Sequence, residues 1–429
     1  MQRTKSKILS ILLSLVMLLS LLPTTALAAG YYDKVEVNGI LLQNGYYLES
    51  NSSEGAKTGA FTTAPTPYVA WYKDGVLTLN DYDGKGIETQ GVAAGELTVK
   101  LIGTNSINNG SLVSDNGGDI TVTSDSSGTL SISKTTSGSN PAIGIETGLS
   151  GSYTTGNVTI TGDAKVTINV THNGTSTYER AYGIYAKKNI TISKSASVDI
   201  TCATPYNTTG GGNCNGLYAA QNVTIDTNGT IKIDVTKAGK DDGYSFGVYP
   251  MGTATLTKVG EMEVQWKKHA TNSSFPGGAV YKGASLSNTD YAINEDTTNC
   301  YASYRKGTPY TVTVENGTLT GTGVKHANGS GNFLEHDTVN ITPAPKAGKS
   351  GEPIPFKKWT SKEVTLTSPT MENNSFTVPG KNVTVTAMHS PFVGAPTFTP
   401  KGVTSTEGTL TFKTKVTLGD GSESFALVK

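Results

Sequence analysis

Three acidic side chains stand at outward positions of a repeated strand segment, where they could act on a sugar polymer: Asp199, Asp234 and Glu263. Glycoside hydrolysis requires two carboxyl groups at a fixed separation, and strand stacking would hold Asp199 and Glu263 about 9 to 10 Å apart, within the range of inverting enzymes. Lys232 has the same offset between them. An acid–base–acid stripe is commoner as surface charge pairing, so polysaccharide cleavage by a lyase or glycosidase is the alternative hypothesis.

Other chemistry has weaker support in the sequence. The chain has no C-x-x-C pair, no nucleophile elbow and no phosphate-cradling glycine loop. Its five histidines are scattered without ligand spacing: His172, His269, His326, His336 and His389. We therefore predict no metal, no cofactor and no enzymatic activity.

Tyrosines recur with a spacing that favours ligand binding. Each of four follows an apolar residue that faces inward, so alternation turns the tyrosines outward, in a ladder with steps of about 4.8 Å: Tyr185, Tyr218, Tyr249 and Tyr281. Variable segments beside the ladder add Tyr182, Tyr206 and Tyr244. Aromatic faces flanked by polar groups suit sugar rings, although stacked tyrosines also cover a solenoid simply by packing. The first hypothesis is a non-enzymatic protein that binds carbohydrate, or another host or cell-surface ligand; an adhesin or scaffold that recognises protein is a further alternative.

Tyr185, Tyr218 and Tyr249 belong to a sequence repeat that has three clear copies between residues 183 and 266. Counted from Gly183, Gly216 and Gly247, apolar residues fall at the same six offsets in every copy, as three short period-2 segments. One such unit cannot bury its apolar face alone, so stacked coils are expected. Weaker copies, such as those at Gly86 and Gly144, bring the total to about seven coils.

Asparagines recur just before the second strand of successive copies, at positions 157, 189 and 222. This pattern resembles the asparagine ladder of right-handed parallel β-helices, in which each amide bonds to the coil above. The predicted fold is an all-β, right-handed parallel β-helix over residues 71–308. The tyrosine-rich, non-repeating residues 29–70 would cap its first open edge.

The N-terminus has the pattern of a secretory signal peptide over residues 1–28: Arg3, Lys5 and Lys7, an apolar run, and Ala26-Leu27-Ala28. Its removal leaves 31 basic and 34 acidic residues, without a basic patch for nucleic acid. The expected location is secreted or on the cell surface, with no membrane span in the mature chain.

Three cysteines occur. Cys202 ends one third strand and Cys214 precedes the next repeat's glycine, so a disulfide between them is one hypothesis for an oxidising compartment. Cys202 could equally be a small apolar plug, because it occupies the position of Val235 and Trp266 in the other copies.

Two segments resemble known families. Residues 71–84, W-Y-K-D-G-V-L-T-L-N-D-Y-D-G, with the following coils, resemble Gram-positive surface proteins described as carbohydrate-binding domain-containing; the resemblance covers about 31–307 and implies a secreted β-helix with a glycan ligand. Residues 309–388 resemble the divergent internalin B-type repeat, with Tyr310-Thr311-Val312, Phe356-x-x-Trp359 and Phe376-Thr377-Val378-Pro379 in the family's order. This implies a small β-grasp-like module. Residues 389–429 resemble a partial β-sandwich segment or linker.

Overall fold

The computed structural model describes residues 31–52, 55–58, 63–90, 95–148, 155–174, 180–205, 213–237, 245–267, 277–283, 286, 289–348, 351, 353–389, 403–406, 409–417 and 423–428. The predicted signal peptide lies outside the described residues. The described chain is all-β and forms two compact units, one of residues 1–258 and 266–284 and the other of residues 259–265 and 285–429.

The first unit opens with five strands that precede the coils: β1 (Lys34–Val37), β2 (Ile40–Gln43), β3 (Tyr46–Leu48), β4 (Lys57–Thr58) and β5 (Ala70–Lys73). The coil strands of this unit then follow: β6 (Val76–Asn80), β7 (Asp83–Gly84), β8 (Ile87–Gln90), β9 (Glu96–Ile102), β10 (Thr104–Asn108), β11 (Leu112–Ser114), β12 (Asp119–Ser124), β13 (Thr129–Thr136), β14 (Ala142–Thr147), β15 (Val158–Gly162), β16 (Lys165–His172), β17 (Arg180–Ala186), β18 (Ile190–Lys194), β19 (Ser197–Ala203), β20 (Asn213–Ala219), β21 (Val223–Thr227), β22 (Thr230–Lys237), β23 (Ser245–Pro250), β24 (Ala254–Lys258) and β26 (Gly278–Val280). Between β24 and β26 in the chain lies β25 (Glu261–Trp266), whose residues 261–265 belong to the second unit.

These strands stack into a parallel β-helix, as predicted. One sheet, here called the tyrosine sheet, has the parallel order β8-β11-β14-β17-β20-β23-β26; the asparagine sheet has β6-β9-β12-β15-β18-β21-β24; a third sheet contains β7-β10-β13-β16-β19-β22. The first two sheets each contain seven parallel coil strands, which confirms the expected number of coils.

The strands before the coils cover the start of two sheets. β1 pairs antiparallel with β8 and with β2, and so extends the tyrosine sheet. β5 pairs antiparallel with β6 and with β3, at the edge of the asparagine sheet. Antiparallel strands at this position occupy the hydrogen-bonding groups that the first coil would otherwise leave open.

The repeating glycine has a packing reason. A Cβ atom on Gly183 would lie 2.4 Å from Cγ2 of Ile200, and one on Gly216 would lie 2.4 Å from Cγ2 of Ile233. The tyrosine sheet therefore lies close to the third sheet at this position, and a Cβ atom there would clash.

The predicted asparagine ladder is present. Asn189 Nδ2 donates to Asn157 Oδ1 at 3.0 Å, and Asn222 Nδ2 donates to Asn189 Oδ1 at 3.3 Å. The ladder continues beyond the three asparagines, since Asp119 Oδ1 accepts from the Asn157 backbone N–H at 2.8 Å and Asn222 Oδ1 accepts from the Thr253 backbone N–H at 3.0 Å. These bonds satisfy polar groups at a corner between coils.

The second unit contains an antiparallel hairpin, β27 (Tyr291–Asp296) and β28 (Tyr301–Lys306), whose second strand pairs with residues 261–265 of β25. The module after it contains β29 (Tyr310–Glu315), β30 (Gly317–Gly321), β31 (Val324–Asn328), β32 (Ser330–Phe333), β33 (Thr338–Pro343), β34 (Lys346–Ala347), β35 (Pro353–Ile354), β36 (Phe356–Ser361), β37 (Asn374–Thr377) and β38 (Val383–His389). A final antiparallel sheet contains β39 (Val403–Thr406), β40 (Thr409–Thr417) and β41 (Glu423–Val428).

The module has two four-stranded sheets, β32-β29-β38-β36 and β31-β30-β33-β37. Its core contains Phe333, Trp359 and Phe376. Trp359 and Phe376, two positions of the B-type repeat motif, are therefore core residues of the module. An ion pair joins the module to the hairpin, because the Arg305 guanidinium donates to both oxygens of Asp337 at 2.6 and 2.7 Å.

Candidate functional site

The four predicted ladder tyrosines form one continuous stack on the tyrosine sheet. The ring centroids of Tyr185 and Tyr218 lie 4.9 Å apart, those of Tyr218 and Tyr249 lie 5.6 Å apart, and those of Tyr249 and Tyr281 lie 4.6 Å apart. The planes of successive rings differ by 2°, 18° and 18°. Each inner ring is therefore covered on both faces by its neighbours.

A second set of rings packs beside this stack. Tyr182 lies 5.3 Å from both Tyr185 and Tyr218, although strict alternation would put residues three apart on opposite faces. Both intervening residues face inward: Ile184 is fully buried, and a Cβ on Gly183 would point at the Ile200 side chain. Phe246 repeats the arrangement, 5.2 Å from Tyr249 and from Tyr281.

Only some of the predicted tyrosines reach solvent. Tyr185, Tyr218 and Tyr281 are partly exposed, whereas Tyr249 is 5% exposed and Tyr182 is 3% exposed. Tyr206 and Tyr244 lie outside the described residues. The exposed tyrosines can offer ring edges and hydroxyl groups to a ligand, and the faces of the inner rings are already occupied by other rings.

The two ends of the stack carry cations. Lys187 Nζ lies 5.3 Å from the ring centroid of Tyr185, and Lys282 Nζ lies 5.3 Å from that of Tyr281. Ammonium groups at this distance are attracted by the ring quadrupole. Burial raises the pKa of the Tyr185 and Tyr218 hydroxyls, so both remain neutral hydrogen-bond donors at physiological pH.

On the strands that precede Tyr185 in the tyrosine sheet, glutamates occupy two of the positions that are in register with the tyrosines. In strand register, Tyr185 pairs with Glu146, Glu146 with Val113, Val113 with Glu88, and Glu88 with Glu36. Sequence reasoning did not single out these acidic residues. A signal was present: Gly86-Ile87-Glu88 and Gly144-Ile145-Glu146 are copies of the Gly-Ile-Tyr segment, with glutamate in the place of tyrosine.

Glu146 is held in an unfavourable environment for a charge. It is 4% exposed, its Oε2 atom has no hydrogen-bond partner among the described residues, and burial raises its pKa to about 7. The carboxyl group of Glu88 also has its pKa raised to about 7, first by a hydrogen bond to Asp115 and then by burial. Both carboxyl groups are therefore partly protonated near neutral pH.

Lys134 lies in the same neighbourhood. Its Nζ donates to Ser111 Oγ at 2.8 Å, and Ser111 Oγ in turn donates to the Ile143 carbonyl at 2.6 Å. Burial lowers the pKa of Lys134, while the charges of Glu146 and Glu88 act in the opposite direction. The ammonium group of Lys134 therefore interacts with the carboxyl groups of both Glu88 and Glu146.

The acidic residues of the hydrolase hypothesis have ordinary surface partners. Asp199 is exposed and stands in register with Lys232 on the neighbouring strand. Asp234 accepts from the backbone N–H and the hydroxyl of Thr236, and Glu263 pairs with Lys325. Glu263 thus has the ionic partner expected of surface charge pairing, Asp199 stands opposite a lysine, and Asp234 is bonded to neutral groups.

The cysteine pair is present as two thiols, each buried in the coil interior. Cys202 Sγ donates to the Asn215 carbonyl at 3.3 Å, and Cys214 Sγ lies 3.6 Å from Thr204 Oγ1. Burial raises the pKa of both thiols, that of Cys214 to about 12. The structure therefore shows the apolar-plug arrangement for Cys202 and no disulfide bond between the two residues.

Among the described residues, no group of three or more histidine, cysteine, aspartate or glutamate side chains could hold a metal ion.

Comparison with known proteins identifies one part of the chain. Residues 310–391 match the family model described as the divergent InlB B-repeat domain. No curated protein and no solved structure matches the chain. Within the part of the chain that the structure describes, no helix has the length and apolar character needed to cross a membrane. The match confirms the predicted B-type repeat, a domain that occurs in surface or secreted proteins.

Proposed function

We propose that this chain is an exported, non-enzymatic protein of the cell surface or extracellular space, and that its β-helix binds carbohydrate along the outer face of the tyrosine sheet. The observation that carries the proposal is the single straight column on that face. It passes from the tyrosine stack at Tyr249, Tyr218 and Tyr185 to the carboxyl groups of Glu146 and Glu88 without leaving strand register.

The composition of the column suits an elongated, hydroxyl-rich ligand. Partly exposed tyrosines provide apolar ring edges and neutral hydroxyl donors, and the partly exposed carboxyl group of Glu88 provides an acceptor. A sugar chain presents both C–H groups and hydroxyls along its length, and aromatic residues with a polar tip are well suited to such mixed surfaces. The contact with the sugar would use ring edges and hydroxyl groups, because the faces of Tyr218 and Tyr249 are covered.

The C-terminal module supports the extracellular part of the proposal. Its family occurs in surface or secreted proteins, and the first residues of the chain have the pattern of a signal peptide. The module would then act as a spacer that presents the β-helix.

The test is a glycan-array screen of the full chain beside a Tyr185→Phe/Tyr218→Phe double variant. Phenylalanine keeps the ring stack and removes the hydroxyl groups, so the fold is preserved while the polar contacts are lost. We expect selective glycan binding by the wild type and a loss of roughly tenfold or more in affinity for the variant.

A blank array would contradict carbohydrate binding. Capture of host protein that resists periodate oxidation of sugars would then favour the adhesin alternative. Release of shorter saccharides from a bound polysaccharide would contradict the non-enzymatic assignment, and Asp199, Asp234 and Glu263 would be the first carboxylates to substitute.

A further inference from the structure

A cavity of about 310 Å³ lies at the carboxylate end of the column, on the first coils. Glu88 and Lys134 are in its lining, with Glu36 and Lys85 nearer the start of the chain and with Ser111 and Val113 between the charged groups. Its volume stands at the lower end of the range of about 300–1,000 Å³ that is typical of small-molecule sites. The cavity is therefore of a size for one small, compact ligand.

The charges around the cavity are mixed. Two carboxyl groups, from Glu36 and Glu88, and two ammonium groups, from Lys85 and Lys134, contribute to the same lining. A ligand anion would meet the carboxylates, and a ligand cation would meet the ammonium groups, so neither gains from all four side chains. A neutral ligand with several hydroxyl groups can donate to the carboxylates and accept from the ammonium groups at once.

One buried polar atom next to the cavity indicates that the local hydrogen bonding is incomplete. Glu146 Oε2 is buried and has no partner among the described residues, although Glu146 interacts electrostatically with Lys134 of the cavity wall. Buried polar atoms are usually satisfied, so Glu146 is an exception beside the cavity; because it is not part of the lining, it acts on a ligand only through its charge on Lys134. Val113 stands in register between Glu88 and Glu146, and its side chain, which is 9% exposed, provides an apolar contact in the lining.

We propose that the cavity lined by Glu88, Ser111, Val113 and Lys134 is a subsite for a single neutral, polyhydroxylated sugar residue. It lies at the Glu88 end of the column that starts at Tyr249, which is the proposed glycan-binding surface. The assignment rests on the proposed carbohydrate-binding function. Strand register puts Glu88 three strands from Tyr185, or about 14 Å at the usual strand spacing. A glycan chain on the tyrosine column could therefore extend one of its residues to the cavity.

Binding at the cavity can be tested separately from glycan binding along the tyrosine column. Saturation-transfer difference NMR is recorded on the full chain with methyl glycosides of glucose, galactose and N-acetylglucosamine, and retention on immobilised polysaccharides is measured in parallel. The variants are Glu88→Gln and Lys134→Met. Glu96→Gln is the matched control, because Glu96 is an exposed residue of β9 in the same unit and is not part of the cavity lining.

We expect saturation transfer to at least one methyl glycoside in the wild type and in Glu96→Gln, with affinity reduced roughly tenfold or more in each cavity variant. Thermal unfolding of each variant shows whether it is folded; a misfolded variant is replaced by Ser111→Ala, which removes a smaller group from the same wall.

The outcomes separate the two proposals. Wild-type affinity in the folded cavity variants overturns the subsite. Retention of a polysaccharide by the wild type without saturation transfer to any methyl glycoside also overturns the subsite and leaves the proposed function standing. Absence of both signals overturns both proposals.

Discussion

The rings of Tyr185 and Tyr218 lie 4.9 Å apart and within 2° of parallel, on adjacent strands of the tyrosine sheet. At this spacing and orientation the two aromatic faces cover each other, and the stack continues to Tyr249 and Tyr281. The tyrosines therefore stabilise the solenoid as well as forming its outer surface. A sugar bound on this sheet would meet the rim of the stack.

The stack predicts different effects for two substitutions of one residue. Tyr218→Ala removes ring contacts with Tyr182, Tyr185 and Tyr249, and should lower the free energy of unfolding by roughly 1–3 kcal/mol. Tyr218→Phe retains the rings and should change it by less than about 0.5 kcal/mol. Urea unfolding followed by circular dichroism measures both. Equal stability of the alanine variant and the wild type would show that the stack makes no contribution.

The glycine column predicts a steric effect. Gly216→Ala would place a Cβ atom 2.4 Å from Ile233 Cγ2 and 2.6 Å from the Gly247 carbonyl oxygen, so the coil must shift at a cost of roughly 1–3 kcal/mol or more. Gly138→Ala is the control, because a Cβ there meets no atom within 4 Å. Thermal unfolding should show a clear fall in Tm for Gly216→Ala and little change for Gly138→Ala. Matching Tm values would contradict the close approach of the two sheets.

The asparagine ladder predicts a loss of stability when one step is removed. Asn189→Ala deletes the amide bond to Asn157 and the two bonds that Asn222 donates to Asn189 Oδ1, and leaves their partners unsatisfied. The expected decrease is about 1–3 kcal/mol in the free energy of unfolding. Asn140→Ala, at an exposed position, should change it by less than about 0.5 kcal/mol. A ladder variant as stable as Asn140→Ala would mean that water replaces the amide without loss.

Glu146 predicts a pH dependence of stability. Burial is the main cause of its raised pKa, opposed by Lys134 and Lys187 and reinforced by Asp115. Because the folded-state pKa of about 7 lies above the unfolded value near 4.5, the folded chain binds more protons between those pH values. The stability associated with protonated Glu146 is fully present below pH 4.5 and is lost as the pH rises through about 7.

Glu146→Gln keeps the shape of the side chain and removes this titration. Its free energy of unfolding should exceed that of the wild type by roughly 1–3 kcal/mol at pH 8, with a smaller difference at pH 5. Glu96→Gln, at an exposed site, is the control. Urea unfolding at the two pH values measures the difference, and a Glu146→Gln effect that does not vary with pH would contradict the raised pKa.

The Arg305–Asp337 pair predicts a larger effect than an exposed ion pair. Both side chains are largely buried, at 12% and 10% exposure, and Asp337 also accepts from the Leu334 backbone N–H at 2.7 Å. Arg305→Ala would leave a buried carboxylate without its cation, at a cost of about 3–5 kcal/mol. Lys100→Ala breaks an exposed pair with Asp125 and should cost about 0–1 kcal/mol. Similar losses for the two variants, measured by urea unfolding, would contradict the distinction.

The sequence alone determined the architecture of the coils. Gly183, Gly216 and Gly247 begin copies whose apolar residues share the same offsets, and this periodicity specifies which side chains face inward and which strands stack in register. It therefore predicted about seven coils, the asparagine ladder and a column of tyrosines on one face. The order of aromatic and proline positions likewise predicted the B-type repeat over residues 309–388.

The tertiary structure alone decided how the candidate site is built. Periodicity states that Tyr185 and Tyr249 leave the core, but their ring orientation and their different exposures depend on residues from neighbouring coils, such as Phe246. The same holds for Glu88 and Glu146, whose positions relative to Val113 and the tyrosines follow from coil stacking. Side-chain packing and burial are set by contacts between residues about 30 positions apart, and a pattern within one repeat does not contain them.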